Sequence, residues 1–138
     1  MLAETDVLIR LLASTLVGLF IGLSRRRKPA GVRTFTLLCL GSTMFTLISI
    51  SGAFAYADQG RVIAQIVAGI GFLGLGVIWR QDVNKPTGLT TAAAIWVTAA
   101  IGILAGLAMW FEMTVSVVLS LLVLYSKEPL IKAHIEEE

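Results

Sequence analysis

The chain reads as an all-α transmembrane protein with about five membrane-spanning helices, and three observations carry that reading. Of its 138 residues, 57% are hydrophobic and only 14% charged, and the mean hydropathy is +0.86, outside the composition of water-soluble domains. Its apolar residues gather into runs close to the roughly 20 that a helix needs to cross a hydrocarbon core about 30 Å thick. Its charges gather between those runs. Five spans and short connections use the whole length, so one membrane domain is expected over 1–126, with a short tail over 127–138.

The first span is expected over 7–23, interrupted by Arg10 near one end and stopped by Arg25, Arg26, Arg27 and Lys28. Acids Glu4 and Asp6 precede it where a secretory signal peptide would carry basic residues, so the span is expected to be retained. The second runs over 34–57 and ends in the polar turn Asp58-Gln59-Gly60-Arg61. The third covers 62–79 and closes at Arg80 to Pro86. From Thr90 to Tyr125 the only charge is Glu112. That stretch is too long for one crossing and gives two short ones, 90–105 and 110–126, if the chain turns near Gly106 to Glu112.

Basic residues at span ends set orientation, because they are retained on the cytoplasmic side. Arg25, Arg26, Arg27, Lys28, Arg33, Arg80, Lys85, Lys127 and Lys132 fall on one side of the five-span arrangement, leaving Arg10 and Arg61 on the other. The expectation is a cytoplasmic C-terminus and an outside N-terminus. Charge placed between apolar spans also argues against a nucleic-acid partner, which would need a basic folded face.

The two cytoplasmic loops end alike. Lys28-Pro29-Ala30-Gly31-Val32-Arg33-Thr34 and Lys85-Pro86-Thr87-Gly88-Leu89-Thr90-Thr91 share K-P-x-G-[VL]-x-T, so spans one and two are expected to repeat spans three and four in parallel. Thr34 and Thr91 are the expected hydrogen-bond partners of the first helical turns.

Gly69-Ile70-Gly71-Phe72-Leu73-Gly74 satisfies G-x-G-x-x-G, but it lies inside an apolar span and not at a strand-to-helix turn, which excludes dinucleotide binding. With Gly76 it gives the third span either a close-packing face or a segment that can unwind to offer carbonyls to an ion. Gly18 with Gly22, and Gly102 with Gly106, have the small-xxx-small spacing of helix contacts. Arg10 is an intramembrane charge that either snorkels outward or pairs with Asp58 or Glu112. Arg10, Asp58, Arg61 and Gln65 are thereby a candidate polar cluster for an ion, or Asp58, Arg61 and Gln65 are a hydrated turn. Cys39 is the only cysteine and His134 the only histidine, and no nucleophile has a base nearby, so neither a metal site, a cofactor nor an enzyme activity is expected.

The run Gly60 to Ile78, the segment Thr87 to Gly102 and Ala30-Gly31-Val32-Arg33-Thr34 together resemble the MgtC/SapB membrane family. The matching positions are Arg25, Gly31, Arg33, Thr34, Arg61, Gln65, Gly69, Gly71, Gly74, Gly76, Gly88, Leu89, Thr91 and Trp96. The resemblance implies a multi-pass protein of the prokaryotic cytoplasmic membrane, without a cofactor, tied to magnesium limitation. Members are implicated in restraining the ATP synthase. Gly22-Leu23-Ser24-Arg25 departs from the family's G-x-E-R, and the soluble domain of MgtC-type members is missing, so the chain looks like a SapB-type membrane half. The function expected is a non-enzymatic modulator of ion homeostasis or of an energy-coupling complex. The alternative is a small ion transporter or channel subunit. Besides the lipid bilayer, the partners this admits are a second copy of the chain and the ATP synthase or another membrane protein.

Overall fold

The computed structural model describes residues 2–26, 28, 30–52, 56–79 and 88–126, the side chains of 56–59 and 79 excepted. The described residues form five helices: α1 (Glu4–Ser24), α2 (Val32–Ile50), α3 (Tyr56–Trp79), α4 (Leu89–Gly106) and α5 (Trp110–Tyr125). The first four are long and apolar enough to cross a membrane, and α5, of 16 residues, is shorter. At 1.5 Å per residue α5 reaches only about 24 Å.

Three helix limits differ from those the apolar runs suggest, and the largest gain is at α3, which begins at Tyr56, so residues 58–61, expected as a polar turn, lie within its first two turns. α1 begins at Glu4, taking Glu4 and Asp6 into its first turn, where carboxylates face the positive end of the helix dipole. α2 stops at Ile50, well short of residue 57, because Gly52 turns the chain at φ +84°. The turn between α4 and α5 falls at 107–109, where Ala108 takes the left-handed φ of 57°.

Glycine contacts set the directions of the helices. A Cβ on Gly18 would lie 2.8 Å from both the Phe35 carbonyl oxygen and Thr36 Cα, and one on Gly22 would lie 2.7 Å from Val32 Cα. These contacts join α1 and α2 as an antiparallel hairpin. Gly74 facing Ala92 and Val77 facing Gly88 do the same for α3 and α4. Gly102 lies against Cys39 and Ser42, and Gly106 against Thr46, so α2 and α4 run parallel with backbones in near contact. The two hairpins are therefore parallel.

α2 and α4 form the centre, with α1 and α3 on opposite flanks and α5 against α4 and α1. α1 touches α4 as α3 touches α2, and α1 and α3 do not meet among the described residues. Exchanging the hairpins leaves this pattern unchanged.

The seam is filled by small and hydroxyl side chains. Ser14, Ser42, Thr43, Thr46 and Thr98 are buried, and Thr46 and Thr98 donate to the carbonyls of Ser42 and Ala94 one turn back. Thr43 bonds both within and across helices, to the carbonyls of Cys39 and, at 2.7 Å, Gly102. Cys39 is fully buried between these contacts, a free thiol.

Candidate functional site

Two buried arginines fasten α1 to opposite ends of α4. Arg10 is 7% exposed; its Nη1 donates to the Gly106 carbonyl at 2.6 Å and its Nη2 to the Asp6 carboxylate at 2.5 Å. Gly106 is the last residue of α4, so its carbonyl is one of the acceptors a helix C-terminus leaves open, at the negative end of the dipole. Of the partners expected from sequence, Glu112 is exposed and does not pair with Arg10, and the Asp58 side chain lies outside the described residues. Arg10 turns into the bundle and takes its carboxylate from one turn back on its own helix. The available signal was the i,i+4 spacing of Asp6 and Arg10.

At the other end, Arg25 caps α1 and is 6% exposed. Its Nη2 donates to Thr91 Oγ1 at 2.5 Å, in the first turn of α4. Thr91 thus serves α1 and not its own helix start. Both α2 and α4 begin on a glycine, Gly31 and Gly88, with no side-chain cap, so the threonines do not cap as expected. Gly88 is held at φ +92°, a conformation that disfavours any side chain. Burial pulls the Arg25 guanidinium below its ordinary pKa, although arginine stays charged in proteins. The Nε atoms of Arg10 and Arg25 are buried without a hydrogen-bond partner.

Most of the remaining described candidate residues are exposed. Arg61 and Gln65 are exposed on α3, a helix that does not reach α1, so they are not brought beside Arg10. Gln65 instead lines an apolar groove of about 490 Å³ between α2 and α3, with Leu37, Phe45, Gly69 and Leu73 among its walls. A Cβ on Gly69, Gly71 or Gly76 would meet nothing within 4 Å, and on Gly74 only Ala92. Arg33, Thr34, Leu89 and Trp96 are exposed as well. Of the loop motifs, Pro29 and residues 80–87 lie outside the described residues, as does the tail 127–138. Among the described residues no group of His, Cys, Asp or Glu is arranged to hold a metal ion.

The family model described as the MgtC family matches residues 11–133, nearly the whole chain. The chain belongs to the MgtC family. The MgtC-family relatives include protein SrpB of Synechococcus elongatus, 43% identical over 73% of this chain and 63% of its own length. Protein SapB of Bacillus subtilis is 36% identical over 79% of this chain and 51% of its own. Protein MgtC of Salmonella typhimurium is 46% identical over 72% and 43%. The chain thus spans about half the length of the curated relatives it matches. No solved structure matches it significantly.

Within this MgtC-family fold, the residues that carry the resemblance divide by placement. Arg25, Gly74, Gly88 and Thr91 make contacts between helices of the chain. Arg61, Gly71 and Gly76 are exposed on α3, and Gln65 and Gly69 line the groove between α2 and α3. No periodicity could have separated these sets, because in lipid a helix is apolar on its packed and unpacked faces alike.

Proposed function

We propose that the chain is a non-enzymatic membrane protein that acts on another membrane protein, an energy-coupling complex such as the ATP synthase, through helix contacts within the bilayer. One observation carries this reading: a Cβ on Gly71, on the side of α3 where Phe72 and Leu75 are exposed, would meet no described atom within 4 Å, whereas Gly18, Gly22, Gly102 and Gly106 are in close helix contacts. An uncovered glycine on the exposed side of an apolar helix lets a second helix approach closely, which in lipid is a main source of association.

The seam between α1, α2 and α4 favours this over transport. Its threonine hydroxyls donate to backbone carbonyls, and its charges sit at the ends of α1, not along a path. Chain reconstituted alone in liposomes should carry no magnesium, potassium or proton flux above protein-free vesicles, and it should copurify with ATP synthase subunits from native membranes. A flux abolished by Asp58→Ala or Arg10→Ala would establish the small transporter or channel instead.

The same reading places the chain in a prokaryotic cytoplasmic membrane, N-terminus outside, supported by the basic cluster at the α1–α2 loop. A cysteine at Gln59 should react with an impermeant reagent added to intact cells. Protection there would reverse the orientation.

A further inference from the structure

The fifth helix breaks the symmetry of the two hairpins. Exchanging them carries α1 onto α3 and α4 onto α2, so the seat of α5, against α4 and α1, maps onto the cleft between α2 and α3. The residues agree with the mapping. Ala94 and Thr98 of α4 line a space shared with Leu119 and Ser120 of α5. Their counterparts in the repeat, taking Gly31 onto Gly88, are Leu37 and Gly41, and both line the α2–α3 groove. The groove is thus a second seat of the kind that holds a helix, and no described helix fills it.

The α3 wall of this groove is itself a packing seam. Val62, Ile66, Gly69 and Leu73 alternate steps of four and three residues, the spacing at which two helices pack along their length, and Gly76 continues the series. A Cβ on Gly41 or Gly69 would meet no described atom within 4 Å, so each wall admits a close backbone. Ser42 and Gln65 are the only polar side chains of the lining. Gln65 is exposed, and its amide has no hydrogen-bond partner among the described residues. It stands inside the apolar span Gly60–Ile78, where an amide left to hydrocarbon is costly and a hydrogen bond from another helix offsets that cost.

We propose that a second copy of the chain fills the groove, its α3 lying against α3 and α2 about a twofold axis along the membrane normal. A carboxamide both donates and accepts, so it complements itself. Two copies inserted in one orientation hold Gln65 at one depth, and a twofold passing beside Gly69 brings the two amides together, a match that no unrelated helix guarantees. The contact is isologous: each α3 enters the groove of the other copy, both open seats fill at once, and the assembly closes as a dimer. Gly71 stands about 200° round α3 from Gly69, so its side of the helix stays open to the membrane partner proposed above. The dimer neither requires nor excludes that partner.

The test uses the purified full chain in liposomes, read by energy transfer between copies labelled at the C-terminus as the protein-to-lipid ratio is varied, and by disulfide formation under mild oxidation. Wild-type chain should show saturable one-to-one association. Val62→Cys, in the seam, should give a disulfide-linked pair, and Ala64→Cys, about 200° round α3 from it, should not; Cys39 is fully buried and stays out of the reaction. Gln65→Leu should weaken association about three- to 20-fold, the span of interhelical hydrogen bonds measured in membranes. Gly69→Leu should abolish association and Gly71→Leu should leave it unchanged, both with unfolding midpoints in dodecyl sulfate at or above wild type, because a Cβ at either site meets no described atom. A monomer at every ratio, which leaves the groove to lipid, overturns the proposal, as does wild-type association in Gly69→Leu. Should Gly69→Leu not fold, a pair linked through Ala64→Cys and not through Val62→Cys overturns it instead. No partner is present in these liposomes, so failure here leaves the proposed function standing, and a dimer that captures no ATP synthase from native membranes leaves the dimer standing.

Discussion

Replacing Gly102 by alanine separates packing inside this fold from packing the fold leaves open. The new Cβ would stand 2.8 Å from Ser42 Cβ and 3.2 Å from the Cys39 carbonyl carbon, and closer still to that carbonyl's oxygen. Carbon atoms rest about 3.5–4.0 Å apart, so α4 must move off α2 by at least about 0.7 Å, and the obstacle is backbone that cannot rotate away. Overpacking of this kind costs about 1–3 kcal/mol. The separation also stretches the Thr43 to Gly102 bond, and interhelical hydrogen bonds in membranes average about 0.6 kcal/mol. Alanine returns about 1 kcal/mol of helix propensity. The net expectation is a loss of about 0.6–2.6 kcal/mol, a roughly three- to 80-fold fall in the folded-to-unfolded ratio. Gly71→Ala makes the same chemical change where the Cβ meets nothing, so in the purified chain it should be neutral or stabilising by up to about 1 kcal/mol. Titration with sodium dodecyl sulfate in mixed micelles, followed by tryptophan fluorescence, reads both. A Gly102→Ala midpoint at or above the wild-type value would refute the close α2–α4 packing.

Other perturbations probe the polar contacts. Asp6→Ala leaves Arg10 buried beside Gly106 without its carboxylate and should cost about 1–3 kcal/mol, below the usual range for broken buried pairs because Asp6 is 36% exposed. Adding Arg10→Met to it should recover part of that loss in the same titration. Thr91→Val removes the acceptor of Arg25 and should lower stability by about 1–3 kcal/mol, whereas Thr34→Val, at the corresponding exposed position of the repeat, should change it by less than about 0.5 kcal/mol. Cys39, fully buried, should resist maleimide in the folded protein and react at once in dodecyl sulfate; labelling of the native chain would show that the α1–α2–α4 seam is open.

Much of the fold was legible because lipid imposes lengths. Apolar runs bounded by Arg25 to Lys28 and by Arg80 to Pro86 mark crossings whatever their packing, and the K-P-x-G loops marked the hairpins, which the glycine contacts show to be parallel. The end of α2 was hidden because Gly52 is followed by Ala53, Phe54 and Ala55, which keep the hydropathy high beyond the turn. Gly18, Gly22, Gly102 and Gly106 announced their contacts by spacing, but Gly69, Gly71 and Gly76 of α3 have similar chemistry and no described atom within 4 Å of a Cβ, a distinction that depends on where α2 and α4 lie. The site was legible in its residues and not in their partners. Loop carboxylates draw attention as partners for Arg10, but Asp6, four residues away on its own helix, supplies one, and that i,i+4 pair is readable from spacing alone. Arg25 carried a family resemblance without a contact until α4 brought Thr91 to it.

The outward face of α3 is tested most directly by a photoreactive residue in place of Phe72, which is 77% exposed beside Gly71, activated in living cells. The account predicts a discrete covalent adduct with another membrane protein, an ATP synthase subunit foremost, lost when Gly71→Leu fills the open space beside Phe72. Adducts with lipid alone, or with a second copy of the chain alone, would contradict it.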